Sequence, residues 1–293
     1  MKKQICKLIR LYIRYFPIRI GKVPVLTILG KLGLFKGVEL IGDLKGNAIA
    51  VLNLSDWVQQ LVYFFGVYEF EKKETDAWLA LTNENSTILD IGSNFGYYSL
   101  LSAGKFSSCK VHAFEPAPET FQRLVDNISL NSYKNIQVYN LGVSLNPGFF
   151  ALYLANDDNS GMTSLSMPDS FSGREVEVEV VNMDDFIKEK DIKNIDLVKI
   201  DVEGNELNVL RSMQSIITTS NPIIFIELLN NQLNKFGHSI TQTFDFFKIN
   251  NYKCYEINKQ GELKLIEQPK DIGLAICIHA DKIQSVITII EKN

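Results

Sequence analysis

One stretch, Thr87 to Ser99, TILDIGSNFGYYS, constrains this 293-residue chain more than any other. Ile88, Leu89 and Ile91 read as a strand buried on both faces, Gly92 and Gly96 open the turn that follows, and a helix begins near Gly96. Such a helix start aims backbone N–H groups into the crevice beyond the strand end, so the stretch is a cradle for the polar end of a ligand. A buried strand of this kind also needs parallel neighbours, and the rest of the chain must supply them.

The downstream sequence does so. Strands are predicted at Lys110–Glu115, Ile136–Asn140, Asp196–Val202 and Pro222–Leu228, with helices over Pro118–Leu130, Asp184–Lys190 and Asn205–Ile217 between them. A helix near Thr241–Asn250 precedes the last strands, Lys253–Asn258 and Gly273–Ile278. Alternation at these lengths means an α/β fold, a Rossmann-like, doubly wound and mostly parallel seven-stranded sheet. Between Gly148 and Val180 the segments FFALYLA and REVEVEVV alternate with period two, which predicts an inserted antiparallel hairpin joined by the polar loop NDDNSGMTSLSMPDSFSG.

The turn spacing selects among ligands. A dinucleotide fingerprint requires G-x-G-x-x-G, and Asn94 stands where its second glycine belongs. The turn is instead D-x-G-x-N-x-G, and Glu115 closes the next apolar strand. LDIGSNFGYYSL, then AFEP, then IDLVKIDVEGNE, in that order, resemble the FkbM family within the class I S-adenosylmethionine-dependent methyltransferases. The resemblance runs from Thr87 to Glu227, roughly the central half of the chain. It implies S-adenosyl-L-methionine as cofactor, a final strand that runs antiparallel, and methyl transfer to a hydroxyl of a glycan, glycolipid or other secondary metabolite.

Residues beyond strand carboxyl ends have the strongest claim to such a site. Asp90 either meets the methionine ammonium or caps the turn amides. Glu115 is placed to accept both ribose hydroxyls. Ser93 and Asn94, helped by turn amides at Gly92 and Gly96, suit the methionine carboxylate, and Tyr97 either lines the same wall or packs the helix. Asn140, Leu141 and Gly142 stand where the resemblance puts adenine contacts. Asp201 and Glu203, two apart on an extended chain, share a side. Either one of them orients or deprotonates the acceptor, or they favour the N-terminus of the next helix; Glu227, a further carboxylate matching the resemblance, is placed to bind an acceptor hydroxyl. Asp201, Glu203 and Glu206, one helical turn further on, could collect Mg2+, but no His or Cys joins them, and no metal is assigned. His112, inside a strand, reads as a packed residue and His279, after the last one, as peripheral, while His238 in KFGHSIT is either a surface residue or a base on a substrate loop.

Charge divides the chain. Residues 1 to 38 hold nine Lys and Arg and no acid, leaving 21 basic against 34 acidic residues for the remainder, an unfavourable balance for nucleic acid. Cationic residues interrupt every apolar run of the opening segment, so neither a spanning helix nor a cleaved leader is expected. Ile5, Leu8, Ile9, Tyr12, Ile13 and Phe16 fall at helical spacing, and the helix either lies on anionic lipid or packs on protein. The organisation expected is a basic amphipathic arm (1–38), an access or lid subdomain (39–82) and a catalytic domain (83–293). In the middle part, Tyr63, Phe64, Phe65, Tyr68 and Phe70 serve either as core or as a stacking surface. Cys6, Cys109, Cys254 and Cys277 show neither disulfide nor zinc spacing, which suits a reducing, cytoplasmic setting. The rival readings are a nicotinamide-dependent oxidoreductase on the same sheet and a non-catalytic membrane-associated binding protein.

Overall fold

A computed structural model describes residues 1–16, 21–154, 163–167 and 173–292. The chain begins with two helices, α1 (Lys2–Tyr15) and α2 (Lys22–Lys31), then an antiparallel hairpin of β1 (Glu39–Leu44) and β2 (Ala48–Asn53). α3 (Trp57–Phe65) and α4 (Lys72–Leu81) lead into β3 (Thr87–Ile91), α5 (Tyr97–Lys105), β4 (Lys110–Phe114), α6 (Pro118–Asn131) and β5 (Ile136–Tyr139). Next come β6 (Gly142–Val143), β7 (Gly148–Tyr153), β8 (Glu175–Val181), α7 (Met183–Glu189), β9 (Ile195–Ile200), α8 (Glu206–Ser212) and α9 (Gln214–Ser220). β10 (Ile223–Leu228), α10 (Asn230–Leu233), α11 (Ile240–Ile249), β11 (Tyr252–Ile257), β12 (Leu263–Leu265), β13 (Ile272–His279) and α12 (Ile283–Glu291) complete the chain.

The main sheet runs β12-β11-β13-β10-β9-β3-β4-β5. β10, β9, β3, β4 and β5 are parallel, and β13 enters antiparallel to β10, the reversal that the family resemblance implies. The strand order turns at β3, so the crevice beyond β3 and β9 is the place where such a sheet binds ligands. The sheet has eight strands, not seven, because three residues, Leu263–Leu265, pair on the edge with β11. The helix expected over Asn205–Ile217 is broken at Met213 into α8 and α9, and α12 follows where the sequence reading ended on a strand.

The inserted hairpin forms as expected, β7 against β8, and β6 joins β8 in parallel to make a separate three-stranded sheet. Of the polar loop between its strands, only residues 163–167 and 173 are among those described. The opening segments share a core with the main sheet. Cys6, Ile13, Leu26, Tyr63 and Phe64 join Ile88, Phe225 and Ile276 in one buried cluster, so Tyr63 and Phe64 are core. Trp78 of α4 ties the layers together, with its ring centroid 5.1 Å from Phe225 and its indole N–H donating to Ser102 Oγ at 2.8 Å.

Cys254 and Cys277, far apart in sequence, are cross-strand partners with their sulfurs 2.8 Å apart. All four cysteines are free and buried.

Candidate functional site

The glycine turn sits where β3 meets α5. Gly92 has φ +80°, and an added Cβ would lie 1.8 Å from the Asp201 carbonyl oxygen, so the ends of β3 and β9 touch there through bare backbone. Asn94 is also left-handed, φ +50°. The turn spends more of its amides internally than its sequence suggests: Gly92 and Ser93 N–H donate to the Phe114 carbonyl, Gly96 N–H to that of Ser93, and Asn94 N–H to Glu115 Oε2. The Ser93 hydroxyl also donates to Phe114 at 3.2 Å. Asn94 Oδ1 is buried with no partner among the described residues.

Asp90 is buried, and its Oδ2 accepts from the Ser99 amide at 3.0 Å and the Ser99 hydroxyl at 2.5 Å. It therefore caps α5 through Ser99, not the turn amides, while still lining the crevice. Burial pushes its pKa up to about 6, against the pull of Ser99 and Lys199. Glu115 is held by two backbone amides, Asn94 on Oε2 and Ala117 on Oε1, both at 2.9 Å. Burial still raises it to about 7.

Opposite the turn, Asp201, Glu203 and Glu227 come together at the ends of β9 and β10, each offering an oxygen within 4.8 Å of the others. Glu203 is a non-glycine residue at φ +55°, an unusual conformation that turns its carboxyl inward beside the Gln232 amide. Burial, then Asp201, raises Glu203 to about 8 and Glu227 to about 9, and Glu227 Oε2 has no partner. Glu206 caps the turn, its Oε1 accepting from Gly204 N–H at 3.0 Å and Val202 N–H at 3.3 Å.

A cavity of about 350 Å3 lies between the two groups. Asp90, Gly92, Ser93, Asn94, Tyr97, Glu115, Leu141, Gly142, Asp201, Glu203 and Glu227, all singled out from sequence, line it. Asn140 does not: it is exposed, and its amide donates to the Glu115 and Pro116 carbonyls at 2.9 Å, bracing the strand end from outside. Tyr97 lines the wall and packs as well, its hydroxyl meeting Tyr68 N–H and Thr75 at 3.1 Å. No histidine lines the cavity. His112 is buried beside Tyr139, with burial lowering it to about 4, His238 meets Asn208 at 3.1 Å, and His279 ends β13.

Tyr68, one of the aromatics read as core or stacking surface, lines the cavity too, and Lys199, Glu71 and Gln232 also line it and were missed. Lys199 had a signal, a lone cation inside the apolar run IDLVKI. It is 2% exposed, and its ammonium donates to Asp201 Oδ2 at 3.0 Å. Burial alone would lower it, but Asp201, Glu71 and Glu227 outweigh burial and hold it above its ordinary value. Glu71 accepts from the Tyr98 hydroxyl at 2.7 Å and is raised by burial. Among the described residues, six carboxyl groups thus face the cavity against one ammonium.

That balance suits a ligand carrying positive charge and resists a pyrophosphate. The residues fit S-adenosylmethionine, whose amino-acid end brings an ammonium and whose sulfur is a sulfonium. Asn94, which lines the cavity, has a buried side-chain oxygen with no partner among the described residues.

The sequence profile of the family described as "Methyltransferase FkbM domain" matches residues 90–254. "Methyltransferase 1" of Beauveria bassiana is 31% identical over 148 residues, which cover 44% of this chain and 59% of that protein. "Hexuronic acid methyltransferase AglP" of Haloferax volcanii is 28% identical over 141 residues, 48% of this chain and 55% of that protein. "31-O-demethyl-FK506 methyltransferase FkbM" of Streptomyces tacrolimicus is 29% identical over 155 residues, 43% of this chain and 59% of that protein. The chain therefore spans less than two thirds of the length of each of these relatives.

Proposed function

Because this chain belongs to the FkbM methyltransferase domain family, we propose that it is an S-adenosylmethionine-dependent O-methyltransferase acting on a hydroxyl of a glycan, glycolipid or secondary metabolite. The observation that carries this reading is the acidic cavity, with the glycine turn on one wall and three convergent carboxyls on the other. The printed names of two relatives, one a hexuronic acid methyltransferase and one acting on a 31-O-demethyl compound, support an oxygen acceptor.

When bound, the cofactor supplies a methyl group already activated on a sulfonium. The protein's work is then alignment, exclusion of water and removal of one proton. Asp90, Ser93 and Asn94 hold the amino-acid end, Gly92 and Gly96 shape the turn whose amides bond internally, Glu115 takes the ribose hydroxyls, and Leu141 with Gly142 borders the base. Asp201, Glu203 and Glu227 face the acceptor. Glu227 has an unpartnered oxygen and a pKa of about 9, so once ionised it is the strongest base among these acids. Lys199 beside Asp201 supplies the positive charge that keeps the acids ionisable at close quarters.

Calorimetry with S-adenosylhomocysteine and, separately, NADH tests the cofactor assignment. Binding of the first alone supports it, and binding of NADH alone overturns it. Transfer of labelled methyl to hydroxylated sugars and macrolide alcohols, with and without Mg2+, tests the acceptor and the proton step together. Turnover that requires the cation would reassign the three carboxyls as its ligands.

A further inference from the structure

The outward side of the first two helices is apolar and cationic at once. On α1, Cys6 and Ile13 enter the core, while Leu8, Leu11, Tyr12 and Tyr15, on the opposite side of the helix, are between 50% and 79% exposed. Positions 8, 11, 12 and 15 form one helical stripe, so α1 is apolar on both sides. α2 repeats the arrangement: Leu26 is buried, whereas Val25, Ile28 and, just past its end, Leu32 are exposed.

A lysine at the start of each helix reaches the chain at the end of the other. Lys2 Nζ donates to the Gly33 carbonyl at 2.8 Å, and Lys22 Nζ to that of Phe16 at 2.9 Å. Both bury residues in the same cluster, so both stripes face away from it.

The cations divide into two sets. Arg10 and Arg14 are turned inward, pairing with Asp43 and donating to the Tyr63 and Phe64 carbonyls. The ammonium groups of Lys3, Lys7, Lys31 and Lys36 are exposed and make no ion pair with the described residues. No acid occurs before Glu39.

We propose that this face docks on an anionic lipid surface, lying in the plane of the headgroups. Exposed Leu, Ile and Tyr rimmed by Lys match the interior and the charge of such a surface. A second copy of the chain would set the same cations against one another, which disfavours self-association here. No helix among the described residues is long and apolar enough to cross a membrane, so the contact is with one leaflet.

The test is co-sedimentation of the full chain with vesicles of phosphatidylglycerol mixed into phosphatidylcholine, beside vesicles of phosphatidylcholine alone. Binding to the anionic vesicles is expected, weakened by salt, and lowered at least tenfold by joint Leu8→Ser, Leu11→Ser and Tyr15→Ser. Lys3→Glu with Lys7→Glu should lower it similarly, while Ile249→Ser, at an 83% exposed apolar residue on α11, should leave it unchanged. Unaltered circular dichroism and melting show that each variant remains folded. The proposal is overturned if the parent chain ignores anionic vesicles, if the stripe variants bind as well as the parent, or if they instead convert a dimer to a monomer.

Discussion

Gly92→Ala is the sharpest test of how the glycine turn is built. The added Cβ would stand 1.8 Å from the Asp201 carbonyl oxygen, where 3.0 Å is the closest approach real Cβ atoms make, so the ends of β3 and β9 must separate by at least the difference, 1.2 Å. A left-handed φ of +80° adds roughly 1–2 kcal/mol of local strain. The Asp201 N–H donates to the Ile91 carbonyl at 3.0 Å, so the same movement strains that bond and carries the acceptor-side acid with it. A displacement of about 1 Å in a site of this kind costs about 100-fold. Affinity for S-adenosylhomocysteine, read by titration calorimetry, should therefore fall about 100-fold, near 2.8 kcal/mol. Gly96→Ala is the companion. Its Cβ would meet Leu124 Cδ1 at 2.6 Å, the mobile tip of a side chain that can rotate away, and its loss should stay near tenfold. An alanine at 92 that leaves affinity within about threefold, in a protein of parental melting temperature, would refute the placement of the ligand against this turn.

Glu115→Gln puts an amide N–H2 against the N–H of Asn94 or Ala117 and should weaken S-adenosylhomocysteine about 10- to 100-fold in the same calorimeter. Glu203 and Glu227, raised to about 8 and 9, must lose their protons before either can accept one; kcat should climb with pH through that range, and Glu227→Gln should remove the upper limb. In the ligand-free protein these acids and Glu115 keep protons that the unfolded chain releases near its ordinary 4.5. Their contribution to stability is complete below that value and lost as pH rises through about 7 to 9, so the melting temperature should fall between pH 6 and 9, and less steeply in a Glu203→Gln, Glu227→Gln protein. Lys199→Met removes the one ammonium facing six carboxyls; urea denaturation should show a loss of roughly 1–3 kcal/mol, and the kcat limb should move to higher pH.

What the sequence disclosed follows from where local and global forces agree. β3 was legible because Ile88, Leu89 and Ile91 lie in a strand with parallel neighbours on both sides and are buried, which leaves an apolar run interrupted only by the site residue Asp90. The break at Met213 was not, because α8 and α9 continue one apolar pattern and only packing parts them. β12 is three residues on an edge, too short to leave a period. Lys199, a lone charge, and Glu71, within the charge run EFEKKE, escaped because such charges ordinarily mean solvent, and only the fold shows each facing a group of opposite charge. Asn140 misled for the complementary reason: position after a strand is a good guide, but its side chain went to backbone carbonyls. The Cys254 and Cys277 pairing depends on the register of β11 against β13, which no local spacing encodes.

The cavity wall carrying Leu152, Thr163 and Leu165 comes from the inserted hairpin, while the glycine turn and Glu115 come from the parallel sheet. Two separate sheets therefore share one chamber, and they can diverge at different speeds. On the proposed function, a hairpin transplanted from a relative should change which acceptor is admitted while leaving the opposite wall intact, and the insertion is then the natural place to retarget methyl transfer.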